Sequence, residues 1–179
     1  MEDGIHIPTH LKPELYQIEL LPFIIQNNFT IRGKLELTML CEHESTNVTL
    51  HTKNLVLDEE NIELVSLKNG KKISIIEHSY DTDQEFYIAK LSQTLKEGTT
   101  YKVSINYVTQ LTNDNKGFYY EVSEERYYAS TQIQAIGARQ VFPCFDEPAF
   151  KAHFAIKLGR PKYMSSISNM PISQKGVVM

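Results

Sequence analysis

The sequence predicts an all-β protein, a sandwich or a related assembly of open sheets, on three observations. Many short segments alternate apolar and polar residues, which is the period-two pattern of half-buried strands. Turn-forming residues separate these segments at intervals of roughly 8 to 12 residues, as they do in all-β sandwiches. No segment carries the apolar repeat of a long amphipathic helix.

The first predicted strand lies near the start of the chain. Tyr16, Ile18 and Leu20 alternate with polar residues, and Pro13 and Pro22 bound the segment. Because proline cannot donate a backbone hydrogen bond, it marks the ends and edges of strands. We therefore expect a strand here with one buried face.

The longest alternation covers residues 29–41. Its apolar positions are odd-numbered, and only Leu40 interrupts the polar side. A long strand with one wet face is typical of an antiparallel sheet. Gly33, in the middle of the run, predicts a bend or a bulge.

Several shorter strands follow. Asn69 and Gly70 separate two apolar runs and predict a tight hairpin, because both residues tolerate positive φ. An acidic turn at residues 123–126 separates two tyrosine-rich segments and predicts a second hairpin. The remaining predicted strands cover residues 48–57, 62–65, 73–76, 86–89 and 101–107.

Composition restricts the class of protein. The 179 residues suit one domain, and the contents of 41% hydrophobic and 22% charged residues are ordinary for a globular protein. A net charge of −4 without a basic run argues against nucleic acid as a partner. No stretch approaches the roughly 20 apolar residues of a transmembrane helix. The acidic residues 1–4 do not resemble a signal peptide, so we expect a cytosolic protein or a piece without its targeting region.

The cysteines and the N-glycosylation sequons give information about the cellular location of the protein. Cys41 and Cys144 are predicted to be buried free thiols, because two cysteines do not make a disulfide framework. Asn28 and Asn47 each begin an N-glycosylation sequon, which has meaning in a secreted chain. The sequons favour an extracellular location, and a cytoplasmic location is the alternative.

Residues 130–158 are the most informative stretch. Its two ends alternate like half-buried strands, at residues 131–135 and 153–158. Two prolines make residues 142–148 an irregular connection between them. Irregular connections mounted on strands commonly carry function.

One interpretation of this stretch is a structural corner. Phe142 and Phe145 would fill the core, and Arg139 would pair with Asp146 or Glu147. The two carboxylates are adjacent in sequence and diverge in extended structure, which argues against a shared acid–base role. We expect them to close a turn, cap a helix or form ion pairs.

In a second interpretation, Gln132 and Gln134 bind a ligand. Residues two apart on a strand share a face, so the two amides would lie side by side. Each amide offers an acceptor oxygen and two donor hydrogens, enough to hold a ligand amine and a peptide carbonyl. A solvated strand face is the alternative for this pair.

The stretch also resembles a known family. Residues 131–154 read T-Q-I-Q-A-I-G-A-R-Q-V-F-P-C-F-D-E-P-A-F-K-A-H-F, which is similar to the zinc-dependent aminopeptidases of the aminopeptidase N type. The resemblance implies a saddle-like, largely antiparallel N-terminal β domain beside the active-site cleft. It implies that Gln134 helps to bind the α-amino group of a peptide and that Gln132 lines the pocket for its first side chain. Ala135 falls in the same substrate-binding segment.

The family's zinc motif does not occur in this sequence. The resemblance implies His-Glu-x-x-His on a helix, where two histidines four apart grip one metal ion. His6 and His10 have this spacing, but Pro8 lies between them and no glutamate follows His6. His43 precedes Glu44, but position 47 is asparagine. We therefore expect no metal bound by this chain, and the family's Gly-x-Met-Glu-Asn motif is also missing.

We accordingly expect residues 1–179 to be a single N-terminal β domain of an aminopeptidase N-like zinc metallopeptidase, with the catalytic zinc domain absent from this chain. The intact enzyme would bind zinc and remove residues from peptide N-termini, whereas this chain alone would be inactive. An apolar patch near Gln134 and the chain end would then pack against the catalytic domain. The alternative is a truncated, non-catalytic binding or receptor module. The resemblance favours the plasma membrane or the cell exterior.

Overall fold

A computed structural model describes residues 6–124 and 126–176. Within these ranges the chain forms twelve strands and two short 3-10 turns, which confirms the all-β class. The acidic residues 1–4, on which the expectation about a signal peptide depends, lie outside the described ranges, as does Glu125 of the second predicted hairpin.

The strands are β1 (Leu11–Pro22), β2 (Thr30–Cys41), β3 (Ser45–His51), β4 (Val56–Leu57), β5 (Glu63–Ser66), β6 (Lys72–Ile73), β7 (Ile75–Asp81), β8 (Phe86–Leu95), β9 (Thr100–Gln110), β10 (Gly117–Ser123), β11 (Arg126–Gln132) and β12 (His153–Leu158).

The strands of the described ranges group into three sheets. The main sheet has the order β12-β1-β2-β9-β5-β6, and β4 also pairs with β9. The second sheet has the order β3-β8-β7, and β10 and β11 form a separate two-stranded sheet. Both predicted hairpins are confirmed, since β5 pairs with β6 around Asn69 and Gly70 and β10 pairs with β11.

One hydrophobic core joins the main sheet to the second sheet. Leu35 and Leu37 of β2 are fully buried, and they belong to the same cluster as Leu50 of β3 and Tyr87 of β8. Alternate residues of β1 and β2 are buried, as the period-two pattern predicts. The alternation therefore sets which face of the main sheet meets the second sheet.

The strand predicted at residues 153–158 is present, but its predicted burial is wrong. β12 pairs in parallel with β1, so that Phe154, Ile156 and Leu158 lie opposite Tyr16, Ile18 and Leu20. Directly opposite residues share a face of the sheet, so these three side chains lie on the core-facing side. All six residues of β12 are nevertheless exposed, because β12 is the edge strand among the described residues. On its core-facing side, the ring of Phe154 stacks on Tyr16 with centroids 4.7 Å apart.

Gly33 makes room for a tyrosine ring, and the predicted bend or bulge is wrong. The pairing of Gly33 with Leu20 on one side and Tyr107 on the other is regular. A Cβ atom at position 33 would lie 2.1 Å from Cζ of Tyr107. The glycine is needed because the buried ring of Tyr107 lies directly on the backbone of β2.

We predict that Gly33→Ala lowers the free energy of unfolding by about 1–3 kcal/mol, because the methyl group must displace a buried ring. Urea denaturation followed by circular dichroism measures the change. Replacing Tyr107 with leucine in the same chain should recover part of the loss. Gly176→Ala, where the added Cβ meets no atom within 4 Å, is the matched control and should change stability little. A Gly33→Ala chain as stable as this control would contradict the packing argument.

Candidate peptide-binding surface

The two glutamines and Ala135 lie at the end of β11, in a different geometry from the one predicted. β11 ends at Gln132, and residues 134–137 form a turn that the hydrogen bond from N of Gly137 to O of Ile133 closes at 2.9 Å. The predicted strand through residues 131–135 is therefore too long, and Gln132 and Gln134 do not share a strand face. The peptide bond between Gln134 and Ala135 is cis.

These three residues form an open surface, which we call the amide turn (residues 132–135). Gln132, Gln134 and Ala135 are all exposed. No side-chain hydrogen bond joins either amide to another described residue. Both amides are therefore available to an external ligand, each with an acceptor oxygen and two donor hydrogens.

The β10–β11 hairpin that carries the amide turn is fixed to the main sheet by aromatic packing. The ring of Tyr120 stacks on Phe29 with centroids 3.8 Å apart, and Tyr127 lies against Phe29 at 5.5 Å. Gly117 pairs with Gln132, and it has a positive φ of 63°. Such contacts give the amide turn a defined position relative to the main sheet.

A buried guanidinium fixes the other side of the amide turn. Arg139, only 7% exposed, follows the turn in the 3-10 segment Ala138–Gln140. Its Nε donates to Asp146 Oδ2 at 3.0 Å, and its Nη1 donates to Glu85 Oε2 at 3.0 Å. The predicted ion pair with Asp146 is confirmed, and so is the burial of Phe142 and Phe145. The structural-corner interpretation is therefore correct for this part of the chain.

The adjacent carboxylates diverge, as the sequence predicts. Asp146 accepts hydrogen bonds from the side chain and the backbone N–H of Arg139. Glu147 instead accepts from the backbone N–H of Ile7 at 2.7 Å and lies 3.1 Å from Nδ1 of His6. One carboxylate closes the corner, and the other ties the corner to the start of the described chain.

Glu85 is the member of this network that sequence reasoning missed. It also pairs with Lys53, and its φ is 58°. Burial alone would raise the pKa of Glu85, but hydrogen bonds from Lys53 and Arg139 outweigh it and lower the pKa below its usual value. Glu85 and Arg139 are 54 positions apart in sequence, so no local pattern connects them.

Sequence reasoning also missed His51, whose imidazole ring is kept neutral by its contact with the backbone of Asp146. It is almost fully buried at the end of β3, and its Nδ1 lies 3.1 Å from the backbone N–H of Asp146, which donates to it. An accepting Nδ1 carries no proton, so the ring is neutral with its proton on Nε2. Burial first, and then the nearby charge of Arg139, lower the pKa of His51 to about 4.

An open cavity of about 470 Å³ lies beside this network. His51, Glu85, Arg139, Asp146 and Glu147 contribute to its walls. Ile136, which directly follows the amide turn, also lines it, whereas Gln132, Gln134 and Ala135 do not. The amide turn therefore lies on the open surface outside the rim of this cavity.

The two cysteines and the two sequon asparagines were also singled out in the sequence. Cys41 and Cys144 are confirmed as buried free cysteines, and burial raises the pKa of the Cys144 thiol. The sequon residues Asn28 and Asn47 are half-buried, and each side-chain oxygen accepts a hydrogen bond from a threonine two residues later. Glycosylation at Asn28 and Asn47 stays a prediction.

The described part of the chain carries neither a cluster of metal ligands nor a membrane-spanning helix. Residues 6–124 and 126–176 contain no group of three histidine, cysteine or acidic side chains that could hold a metal ion. The described side chains therefore do not fit a catalytic zinc ion. Within the same residues, no helix is long and apolar enough to cross a membrane.

The all-β fold and the network around Arg139 together define the class of this domain. Residues 12–178 match the family described as the Peptidase M1 N-terminal domain, and the chain belongs to this family. Its relatives include Aminopeptidase Ey of Gallus gallus (32% identity over 93% of this chain and 18% of the relative) and Aminopeptidase N of Bos taurus (32%, 92% and 18%). The Thyrotropin-releasing hormone-degrading ectoenzyme of Homo sapiens is 28% identical over 94% of this chain and 16% of the relative. The chain thus spans less than a fifth of the length of these relatives.

We predict that His51 makes stability depend on pH. The pKa of about 4 in the fold lies below the value of 6.5 for an unperturbed histidine, so the unfolded chain binds more protons between these pH values. The stabilisation from neutral His51 is fully present above pH 6.5 and is lost as the pH falls towards 4, by roughly 3 kcal/mol in total.

Urea denaturation at a series of pH values tests this dependence. His51→Asn retains an acceptor near the position of Nδ1 and should flatten the stability profile between pH 6.5 and 4. His43→Asn, at a side chain that is 74% exposed, is the control and should keep the profile of the unchanged chain. Identical profiles for His51→Asn and His43→Asn would show that His51 does not titrate as proposed.

Proposed function

We propose that this chain is the substrate-binding N-terminal β domain of an aminopeptidase N-like zinc metallopeptidase that removes residues from peptide N-termini. Family membership supports the domain assignment. The observation that carries the binding role is the amide turn, whose two exposed amides have no partner among the described residues. A surface of this kind supplies one wall of a cleft, and the rest of the polypeptide supplies the other.

In this proposal Gln134 accepts hydrogen bonds from the α-ammonium group of the substrate. Charge-assisted hydrogen bonds contribute about 1.5–3 kcal/mol each. A neutral amide oxygen holds an ammonium group less strongly than a carboxylate does. Acidic residues outside this chain must therefore provide most of the affinity for the amine.

Gln132 and Ala135 complete the proposed surface. Gln132 ends β11, so its side chain is fixed at one end by a paired backbone, and it lines the pocket for the first substrate side chain. Ala135 has only a methyl group, which leaves its backbone accessible to a peptide. The Arg139 network supports this surface from behind and does not contact the substrate.

The zinc chemistry lies outside this chain in the proposal. Zinc supplies a Lewis acid and an activated water in metallopeptidases. The described residues contain no side-chain group for that ion. The chain should therefore bind and orient peptide N-termini without hydrolysing them.

The proposed location is the plasma membrane or the cell exterior. The name of one relative describes an ectoenzyme, and the sequons at Asn28 and Asn47 agree with that location. Glycosidase treatment of the natural protein should then reduce its apparent mass. A cytoplasmic enzyme would show no such change.

Steady-state kinetics of the intact polypeptide that contains this domain tests the substrate-binding role. Gln134→Ala should raise KM for peptides with a free α-amino group by about 10- to 150-fold, which corresponds to one lost hydrogen bond to a charged group. Gln17→Ala, at an exposed glutamine on β1, is the matched control and should leave KM unchanged.

Two outcomes would contradict the proposal in different ways. An unchanged KM in Gln134→Ala would remove Gln134 from the substrate site. An intact polypeptide that binds peptides without hydrolysing them would favour the alternative of a non-catalytic binding module.

A further inference from the structure

The end of β3 holds the segment that follows the amide turn. The backbone N–H of His51 donates to O of Cys144 at 2.8 Å, and the N–H of Cys144 donates to O of His51 at 3.2 Å. The N–H of Lys53 donates to O of Arg139 at 2.9 Å. These three bonds tie residues 139–144 to the second sheet, and none of them involves a side chain that titrates.

A fourth bond between the same segments depends on a proton. The backbone N–H of Asp146 donates to Nδ1 of His51 at 3.1 Å. Only an unprotonated Nδ1 accepts a hydrogen bond, whereas a protonated Nδ1 is itself a donor. Protonation of His51 therefore sets two N–H donors against each other and leaves the N–H of Asp146 without its partner, which is unfavourable in a largely buried place.

Asp146 connects this bond to the amide turn. Its Oδ2 accepts from Nε of Arg139 at 3.0 Å and from the backbone N–H of Arg139 at 3.3 Å. Arg139 lies in the 3-10 segment that begins directly after Gly137, whose N–H closes the turn at residues 134–137. A continuous series of hydrogen bonds and short backbone links therefore runs from His51 to the amide turn.

The charges around His51 favour its neutral form. Burial of the ring and the positive charge of Arg139 lower the pKa of His51, and they outweigh the carboxylates of Asp146 and Glu147. The ring of Phe86 on β8, with its centroid 4.8 Å from that of His51, adds no charge. The titratable side chains that line the same cavity as His51 are His6, Asp83, Glu85, Arg139, Asp146 and Glu147.

We propose that His51 is a positioning residue of the peptide-binding surface. Its neutral ring holds Asp146 and, through Arg139, keeps the amide turn in the arrangement that binds a substrate N-terminus. Protonation of the ring releases Asp146 and thereby the amide turn, so that acidification weakens peptide binding. This inference rests on the proposed function of the amide turn.

A titration of the 179-residue chain by nuclear magnetic resonance tests the link without a substrate. The backbone amide signals of Asp146 and Gln134 should shift with the same midpoint as the ring signals of His51, at a pH of about 4. His51→Asn keeps an acceptor for Asp146 but cannot be protonated, so the Gln134 signal should lose this transition. The same variant separates titration of the ring from titration of the neighbouring carboxylates. His43→Asn, at an exposed histidine, is the matched control and should keep the transition.

Steady-state kinetics of the intact polypeptide at neutral pH tests the effect on the substrate. His51→Phe, which cannot accept from Asp146, should raise KM for peptides by about 3- to 10-fold and leave kcat nearly unchanged, because only a fraction of the molecules then hold the amide turn in place. His51→Asn should restore the KM of the unchanged protein. A loss of kcat together with an unchanged KM would contradict a positioning role in binding.

Three further results would overturn the proposal. They are a Gln134 signal that does not follow the His51 ring, a transition with the same midpoint in His51→Asn, and an unchanged KM in His51→Phe. An unchanged KM in His51→Phe beside a raised KM in Gln134→Ala would remove His51 alone and leave the proposed function intact. A Gln134 signal that follows His51 in a protein whose KM is insensitive to Gln134→Ala would instead contradict the proposed function itself.

Discussion

The buried guanidinium of Arg139 is the interaction on which the corner of this domain depends. It joins Asp146, seven residues away, to Glu85, 54 residues away, and its backbone carbonyl accepts a hydrogen bond from Lys53. A buried charge is costly unless its partners are well placed, and a buried pair often adds little net stability over apolar packing. The network therefore matters mainly for geometry, because few arrangements of these segments satisfy all of its charges. His51 adds to this constraint, since only its neutral form can accept the hydrogen bond from Asp146.

Much of the fold could be predicted from the sequence because the main sheet has one buried and one wet face. The alternation of apolar and polar residues in β1 and β2 follows directly from that difference between the two faces. The turn at Asn69 and Gly70 was predictable because both residues tolerate positive φ. Prediction was less successful where a local hydrogen bond overrode the alternation. The bond from Gly137 to Ile133 ends β11 early and places Gln134 in a turn.

The parts that could not be predicted depend on contacts between distant residues. His51 lies 95 residues from Asp146, and no single-sequence pattern links them. The role of Gly33 depends on Tyr107, which lies opposite it on the neighbouring strand β9. Likewise, the alternation of Phe154, Ile156 and Leu158 predicted a strand but could not indicate that it forms the edge of its sheet. The motif at residues 131–154 was more informative about family than about local geometry.

The parallel pairing of β1 with β12 has a consequence for biosynthesis. β1 acquires its outer neighbour only after residues up to 158 have been made, and Glu147 contacts His6 across 141 residues. Contacts between residues so far apart in sequence slow folding, because long loops must close before the contacts form. During translation β1 therefore lacks its β12 partner, and we expect nascent chains that end before β12 to engage chaperones that shield such segments.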